Sequence, residues 1–188
     1  TDPAAMNLIL NDLAGEYLIK TDDVAADALV AGATGSGSTW TFDQDNPATL
    51  IDALYDAARE ITEDSNYFPT HLCVSPNIWE KLGRQLDGSN RPVLGYVTDG
   101  VVGQNSIGKT TGLGYGKMNV LGLDLVVDNN FAANTMLVVY APGFEVYEQI
   151  KGIVSVQNIQ KLGREFAYYG YFATFVAKSS FIQSIAIA

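Results

Sequence analysis

The stretch GQNSIGKTTG, residues 103–112, carries the most specific chemical pattern in the chain. Gly103, Gly108, Lys109 and Thr110 satisfy G-x-x-x-x-G-K-[ST], the loop that cradles phosphates in nucleotide hydrolases. Such a loop works where a strand ends, glycines let backbone N–H groups wrap the phosphates, and a helix begins with its positive dipole end aimed at them. After Lys109 the chain runs Thr110, Thr111, Gly112, Leu113, Gly114, Tyr115, Gly116. Each of those three glycines costs about 1 kcal/mol in a helix interior relative to alanine. DGVVGQ, before the motif, is too short and glycine-flanked for a buried parallel strand. LDLVVD, ending at Asp128, imitates an acidic partner strand, but the ~10–12 residues of a helical crossover do not fit between. The pattern is therefore read as a loop with a loop lysine, and a P-loop nucleotide-binding enzyme working through Gly103–Thr110 is kept as an alternative.

The remaining chemistry-bearing residues do not converge. His71 is the single histidine and Cys73 the single cysteine. They alternate on a short apolar stretch and could share one strand face, but no further Cys or His completes a metal set. The bland reading, a partly buried structural pair, is preferred to a Cys/His nucleophile. Asp22 with Asp23, and Glu63 with Asp64, sit near predicted helix ends, where carboxylates cap helices or meet solvent. Asp128, Asn129 and Asn130 read as turn residues rather than cation ligands. No catalytic, cofactor-binding or metal-ligating residue is assigned, and the chain is predicted not to be an enzyme.

The elements that would position any site follow from composition and periodicity. At 188 residues and 47% hydrophobic, the chain suits one domain or two closely packed halves with a real core. With 21 acidic against 11 basic residues the net charge is −10, which disfavours a nonspecific grip on nucleic acid or on an anionic membrane. A lone cysteine excludes an internal disulfide. No run of ~18 apolar residues predicts a transmembrane helix, and no basic-then-apolar start predicts a signal peptide. The opening TDPAAMNL lacks an initiator methionine, so the chain is expected to begin inside a longer gene product.

Asp2 and Pro3 signal a helix start, and Met6, Leu10, Leu13 and Tyr17 mark its apolar side. A second helical piece, DDVAADALVAG, is predicted to end at Gly32, with GATGSGS as a flexible connection and domain boundary. Asn46 and Pro47 open another helix, with Leu50, Leu54, Ala57 and Ile61 buried and Arg59 paired to Glu63. HLCV reads as a strand, and Ser75–Pro76 caps a helix that turns Ile78, Trp79 and Leu82 inward. Residues 92–116 are glycine-rich and aperiodic, a long exposed loop or hairpin. VLGLDLVV, MLVVYA, FEVYEQ and GIVSVQNI follow as strands separated by DNNFAANT, APG and IKG. The closing EFAYYGYFATFVA is apolar on two faces, with Phe166, Tyr168, Phe172 and Val176 on one and Tyr169, Tyr171 and Phe175 on the other. Such a strand is expected to be covered on both sides or to meet another subunit. Helices first and strands later, without repeating βαβ units, predict an α+β fold.

In that second half, MNVLGLDLVVDNNFAANTMLVVYAPGFEVYEQ resembles a stretch of tailed-phage major capsid proteins with the HK97-like fold. LGREFAYYGYFATFVAKSSFIQSI is similar to that family's closing segment, where an arginine and a run of aromatics precede a long strand. HLCVSPNIWEKLGRQLDGSNRPVL is similar to an upstream region, with Ser75, Pro76, Trp79, Leu82, Leu86, Asp87 and Arg91 in comparable places. The resemblance covers about residues 70–188, and the leading helix fits the end of the family's spine helix. Asp124 stands where proline is common, and the N-terminal arm and extended loop that bind neighbouring subunits are missing.

The resemblance implies a peripheral domain from residues 1–45 and 152–175 and an axial domain from 46–151 and 176–188. The 92–116 loop would then lie near the five-fold and six-fold axes, where flexible backbone adapts to two packing environments. It implies a major capsid protein of a tailed phage or prophage, a self-assembling structural subunit of an icosahedral container for DNA. Its partners would be copies of itself, as pentamers and hexamers, with no cofactor, no specific nucleic-acid binding and no membrane. A trimmed fragment could stay monomeric. The location implied is the virion capsid, with host cytoplasm during assembly. An encapsulin-type nanocompartment shell protein, which shares the fold, and a ligand-binding α+β module with an apolar pocket are the other readings. Some family members cross-link covalently, but no residue here is assigned to that role.

Overall fold

A computed structural model describes residues 3–86, 119–158, 160 and 163–188. The glycine-rich stretch 92–116, the Gly103–Thr110 pattern, Asp87 and Arg91 lie outside the described residues. The described elements run α1 (Pro3–Gly32), β1 (Thr34–Trp40), α2 (Ala48–Ser65), β2 (His71–Val74), α3 (Pro76–Gly83), β3 (Asn119–Val120), β4 (Leu123–Val127), β5 (Met136–Val139), β6 (Phe144–Asn158), β7 (Gly163–Val176) and β8 (Ile182–Ile187). They form a six-stranded mixed sheet, in the order β1-β8-β5-β2-β4-β3, and a separate two-stranded ribbon, β6-β7.

Local sequence explains most of the sheet region. The Asn46 carboxamide oxygen accepts the Ala48 N–H at 3.1 Å and so opens α2, which ends at Asn66 in a left-handed conformation. Between these signals Leu50, Leu54, Ala57 and Ile61 recur on one helix side and are buried. They pack with Leu72, Val74, Val138 and Ile185 on one face of the sheet. Ile78 and Leu82 of α3 enter the same core, while Trp79 is half-buried at its edge. Alternate strand residues Cys73, Leu137, Val139 and Ile182 pack on the other face with Ala26 and Leu29, from the last turns of α1. The sheet is therefore covered on both sides, and its strands read as short continuous apolar runs.

The ribbon pairs β6 and β7 in antiparallel register from Phe144↔Val176 to Asn158↔Gly163. α1 lies along one side of it, with the Tyr17 and Tyr168 rings 5.3 Å apart. At the crossing, a Cβ on Gly170 would sit 2.3 Å from the Tyr17 hydroxyl, so the bare glycine lets the helix approach.

Three sequence expectations give way. The two predicted helical pieces are one 30-residue helix, α1. No proline interrupts residues 17–23, and the Thr21 hydroxyl donates back to the Leu18 carbonyl at 2.9 Å, keeping its polar group within the helix. GATGSGS is not a free connection, because from Thr34 onward it is β1, paired in parallel with β8. IKG is not a turn between two strands. β6 passes through it with a register shift between Ile150 and Gly152, where Gly152 takes a φ of 86° and absorbs one extra residue as a bulge.

Candidate functional site

The residues with reactive side chains are held apart or occupied. His71 and Cys73 do share a face of β2, opposite Val139 and Leu137 of β5. The His71 Nδ1 is 2.7 Å from the Thr70 hydroxyl. Cys73 is buried beneath α1 and its thiol is pushed up to about 12, by burial first and by the Asp128 charge second. A thiol so placed is not a nucleophile near neutral pH. The sequence reading preferred a partly buried structural pair, and the structure places both residues on β2 with Cys73 buried.

The acidic residues act as connectors. Asn130 donates its side-chain N–H to Asp22 Oδ2 at 2.7 Å, and its backbone N–H to Asp128 Oδ1 at 2.9 Å. This ties α1 to the turn between β4 and β5. Burial, then the neighbouring Asp128 charge, raises the Asp22 pKa, while the bond from Asn130 opposes the shift. Glu63 binds Arg59 at 2.7 Å on the wet side of α2, as its i, i+4 spacing predicts. Among the described residues no group of three or more His, Cys, Asp and Glu side chains is placed to hold a metal ion.

Two open depressions stand out among the described residues. One, of about 460 Å³, lies between α2 and the β3–β4 turn, where Tyr55, Ala58, Phe68 and Leu121 form apolar walls and Arg59 and Glu63 stand at the rim. The other, of about 560 Å³, runs between Leu18, Ile19 and Asp22 of α1 and Val146 and Phe172 of the ribbon. Neither brings together an acid, a base and a nucleophile. What stands out is exposed apolar surface. Leu8, Ile9, Leu18 and Ile19 on α1, and Tyr147, Ile153, Tyr171 and Phe175 on the ribbon, all lie open. The apolar faces of residues 163–176 signalled this surface in the sequence, whereas the exposed side of α1 had no comparable signal.

Residues 1–181 match the family model for phage capsid protein. The chain belongs to the phage capsid protein family. This capsid protein has an HK97-like α+β fold. A structure from Gordonia phage Cozz superposes with a TM-score of 0.69 at 11% identity, covering 100% of this chain. One from Mycobacterium phage Che8 gives 0.57 at 16% identity over 92%, and the capsid of an empty GTA particle gives 0.55 at 11% over 83%. The capsid protein spans 65%, 60% and 49% of the length of those three chains respectively. No curated protein sequence matches it. Membership in a structural family favours neither the nucleotide-hydrolase reading of Gly103–Thr110 nor the nanocompartment alternative.

Proposed function

We propose that this chain is the shell subunit of a tailed phage or prophage, a major capsid protein that assembles with copies of itself into an icosahedral container for DNA. The observation that carries the reading is the family match over residues 1–181. Two structural features support it. The chain has one region closed on its own core and another with broad apolar surface left open, as repeated symmetric contacts require. Its net charge of −10 suits a wall that encloses a polyanion without adhering to it.

On this reading α1 with the β6–β7 ribbon is the peripheral domain, and the six-stranded sheet with α2 and α3 is the axial domain. Boundaries follow the sheets, so residues 34–40 go with the axial part and the whole of β6 with the peripheral part. Copies meet as pentamers and hexamers, in host cytoplasm during assembly and in the virion afterwards. The work is mechanical, with no catalysis and no cofactor.

Negative-stain microscopy of the full-length gene product, expressed alone and with its upstream reading frames, tests this. Closed icosahedral shells support the reading. A uniformly small, dispersed particle under assembly conditions sinks it.

A further inference from the structure

Exposed apolar residues occur on α1, on both sides of the ribbon and beside α2, so exposure by itself singles out no surface. Beside α2, however, they close around a hollow. The basin of about 460 Å³ is lined by Leu54, Tyr55 and Ala58 from α2, Phe68 and Pro69 from the α2–β2 loop, and Leu121 from the β3–β4 turn. Its size falls in the ~300–1,000 Å³ range of ligand sites. One turn of a helix about 10 Å across fills roughly 400 Å³, so the basin seats one or two side chains rather than a whole element.

Two of the lining side chains are held open by fixed backbone. β3 and β4 pair at Val120↔Leu123, which leaves Leu121 and Gly122 as a two-residue turn, with φ of 51° and 86°. Two positive φ values make a type I′ turn, whose first position suits asparagine, aspartate or glycine. An apolar, branched side chain is strained there, yet Leu121 stands half exposed at the basin. The turn alone does not account for a leucine, whereas a contact made by its side chain with another molecule does. Phe68, 77% exposed, is not on a loose loop. Before it, the Tyr67 ring stacks on Tyr140 at 4.9 Å. After it, Pro69 has a fixed φ, and the Thr70 N–H donates to the Val139 carbonyl at 2.9 Å. The ring is therefore preorganised in the open position, which lowers the ordering cost of binding.

We infer that this basin docks an apolar side chain flanked by lysine or arginine, on a segment of a protein other than this one. Charge selects that occupant. Arg59 at the rim faces three carboxylates, Glu63 at 2.7 Å and Asp56 and Glu60 each at 3.9 Å. α2 also exposes Asp52 and Asp64, so five acids surround one base. Such a rim attracts cations beside the apolar anchor and repels carboxylates. A second copy of this chain, at −10 and with its basic residues scattered singly, is a poor match.

Calorimetric titration of the dispersed chain, with amide NMR to place the contact, tests this. The probe is a seven-residue peptide with one tryptophan between two lysine pairs and a glycine at each end. One control replaces the lysines by glutamates, and the other replaces the tryptophan by glycine. The expected result is binding of the probe at least tenfold tighter than either control, with shifts centred on Tyr55, Phe68 and Leu121. Affinity should also fall between about 50 and about 500 mM salt. Leu121→Asn supplies a residue the turn favours, so its urea midpoint should hold or rise while probe affinity falls at least fivefold. Phe68→Ser, altered at an exposed ring, should lose affinity to the same extent with its midpoint kept. Equal binding of probe and glutamate control overturns the basic partner. Equal binding of probe and glycine control overturns the basin, as does no binding at millimolar concentration. If the dispersed parent self-associates and Leu121→Asn separates it, the occupant is a second copy and the inference fails. Because each measurement is made on the dispersed chain, failure here leaves the shell reading standing, and failure to form shells leaves the basin standing.

Discussion

The sheet region and the ribbon region obey different rules within one chain. Around the sheet, Trp40, Ile61, Leu72, Ile78 and Leu82 have no measurable solvent exposure, because α2, α3 and the end of α1 cover both faces. Along β7 no residue is fully buried, and half-buried positions alternate with open ones. The first region satisfies its own hydrophobic demand, while the second has half of its demand met by α1 and half left open. Stability therefore resides mainly in the sheet, and a surface available to other molecules resides mainly on the ribbon and α1. That division suits a building block, since the part that keeps its shape is separate from the part that leaves apolar surface open.

Substitutions can break or sharpen this contrast. The largest effect belongs to the core. Ile61→Ala and Leu72→Ala should each cost about 2–5 kcal/mol in urea unfolding, whereas Tyr171→Ala on the open face should stay within about 0.5 kcal/mol for the dispersed chain. Comparable losses at all three sites would abolish the distinction. Next is Gly143, at the joint between β5 and β6, where a Cβ would lie 2.2 Å from the Phe181 ring. Phe181 belongs to the core cluster beneath α1, so Gly143→Ala should cost about 1–3 kcal/mol by overpacking, seen as a lowered melting temperature.

A smaller and more local effect is expected at Gly170. Gly170→Val gains strand propensity but pushes Tyr17 aside, so amide exchange in the first half of α1 should quicken while the sheet stays protected. The global midpoint should move by no more than about 1 kcal/mol.

The smallest effect is at the α1 tie. Because the folded-state pKa of Asp22 is raised, by burial first and Asp128 second, its contribution to stability is fully present below the ordinary carboxylate pKa. It is lost as pH rises through the elevated folded value. Asp22→Asn keeps an oxygen for Asn130 to donate to, and removes the charge. It should raise stability near pH 7 by under about 0.5 kcal/mol, discounted for exposure, with the gain gone near about pH 3, where the parent carboxyl is protonated too. Urea midpoints at the two pH values check this.

The sequence was most legible where local signals and packing agree. Leu50, Leu54, Ala57 and Ile61 mark α2, and HLCV marks β2, because each side chain points where its spacing says it should. β1 was opaque because its ladder is supplied by β8, far along the chain, and TGSGSTW has little apolar periodicity to announce it. The break assigned between two helices overlooked that a hydroxyl can bond its own helix, as Thr21 does. A glycine at IKG looks like a turn, yet a bulge uses the same positive φ. As for the open apolar surface, two apolar faces on residues 163–176 were visible. That α1 covers one of them, and only one, needed the register of fourteen paired positions and the crossing at Tyr17.

The parallel pairing of β1 with β8 also fixes a schedule. The Ser36 hydroxyl donates to a carbonyl 148 residues downstream, and among the described residues β1 has no strand neighbour but β8. At synthesis rates of about 5–20 residues per second, β1 waits roughly 7–30 s on the ribosome for its partner. Closing so long a separation is intrinsically slow. Until β8 emerges, the sheet is unfinished and Ile182 and Ile185, two members of its cores, have not arrived. The six-stranded sheet can therefore close only after residues 182–187 have been made.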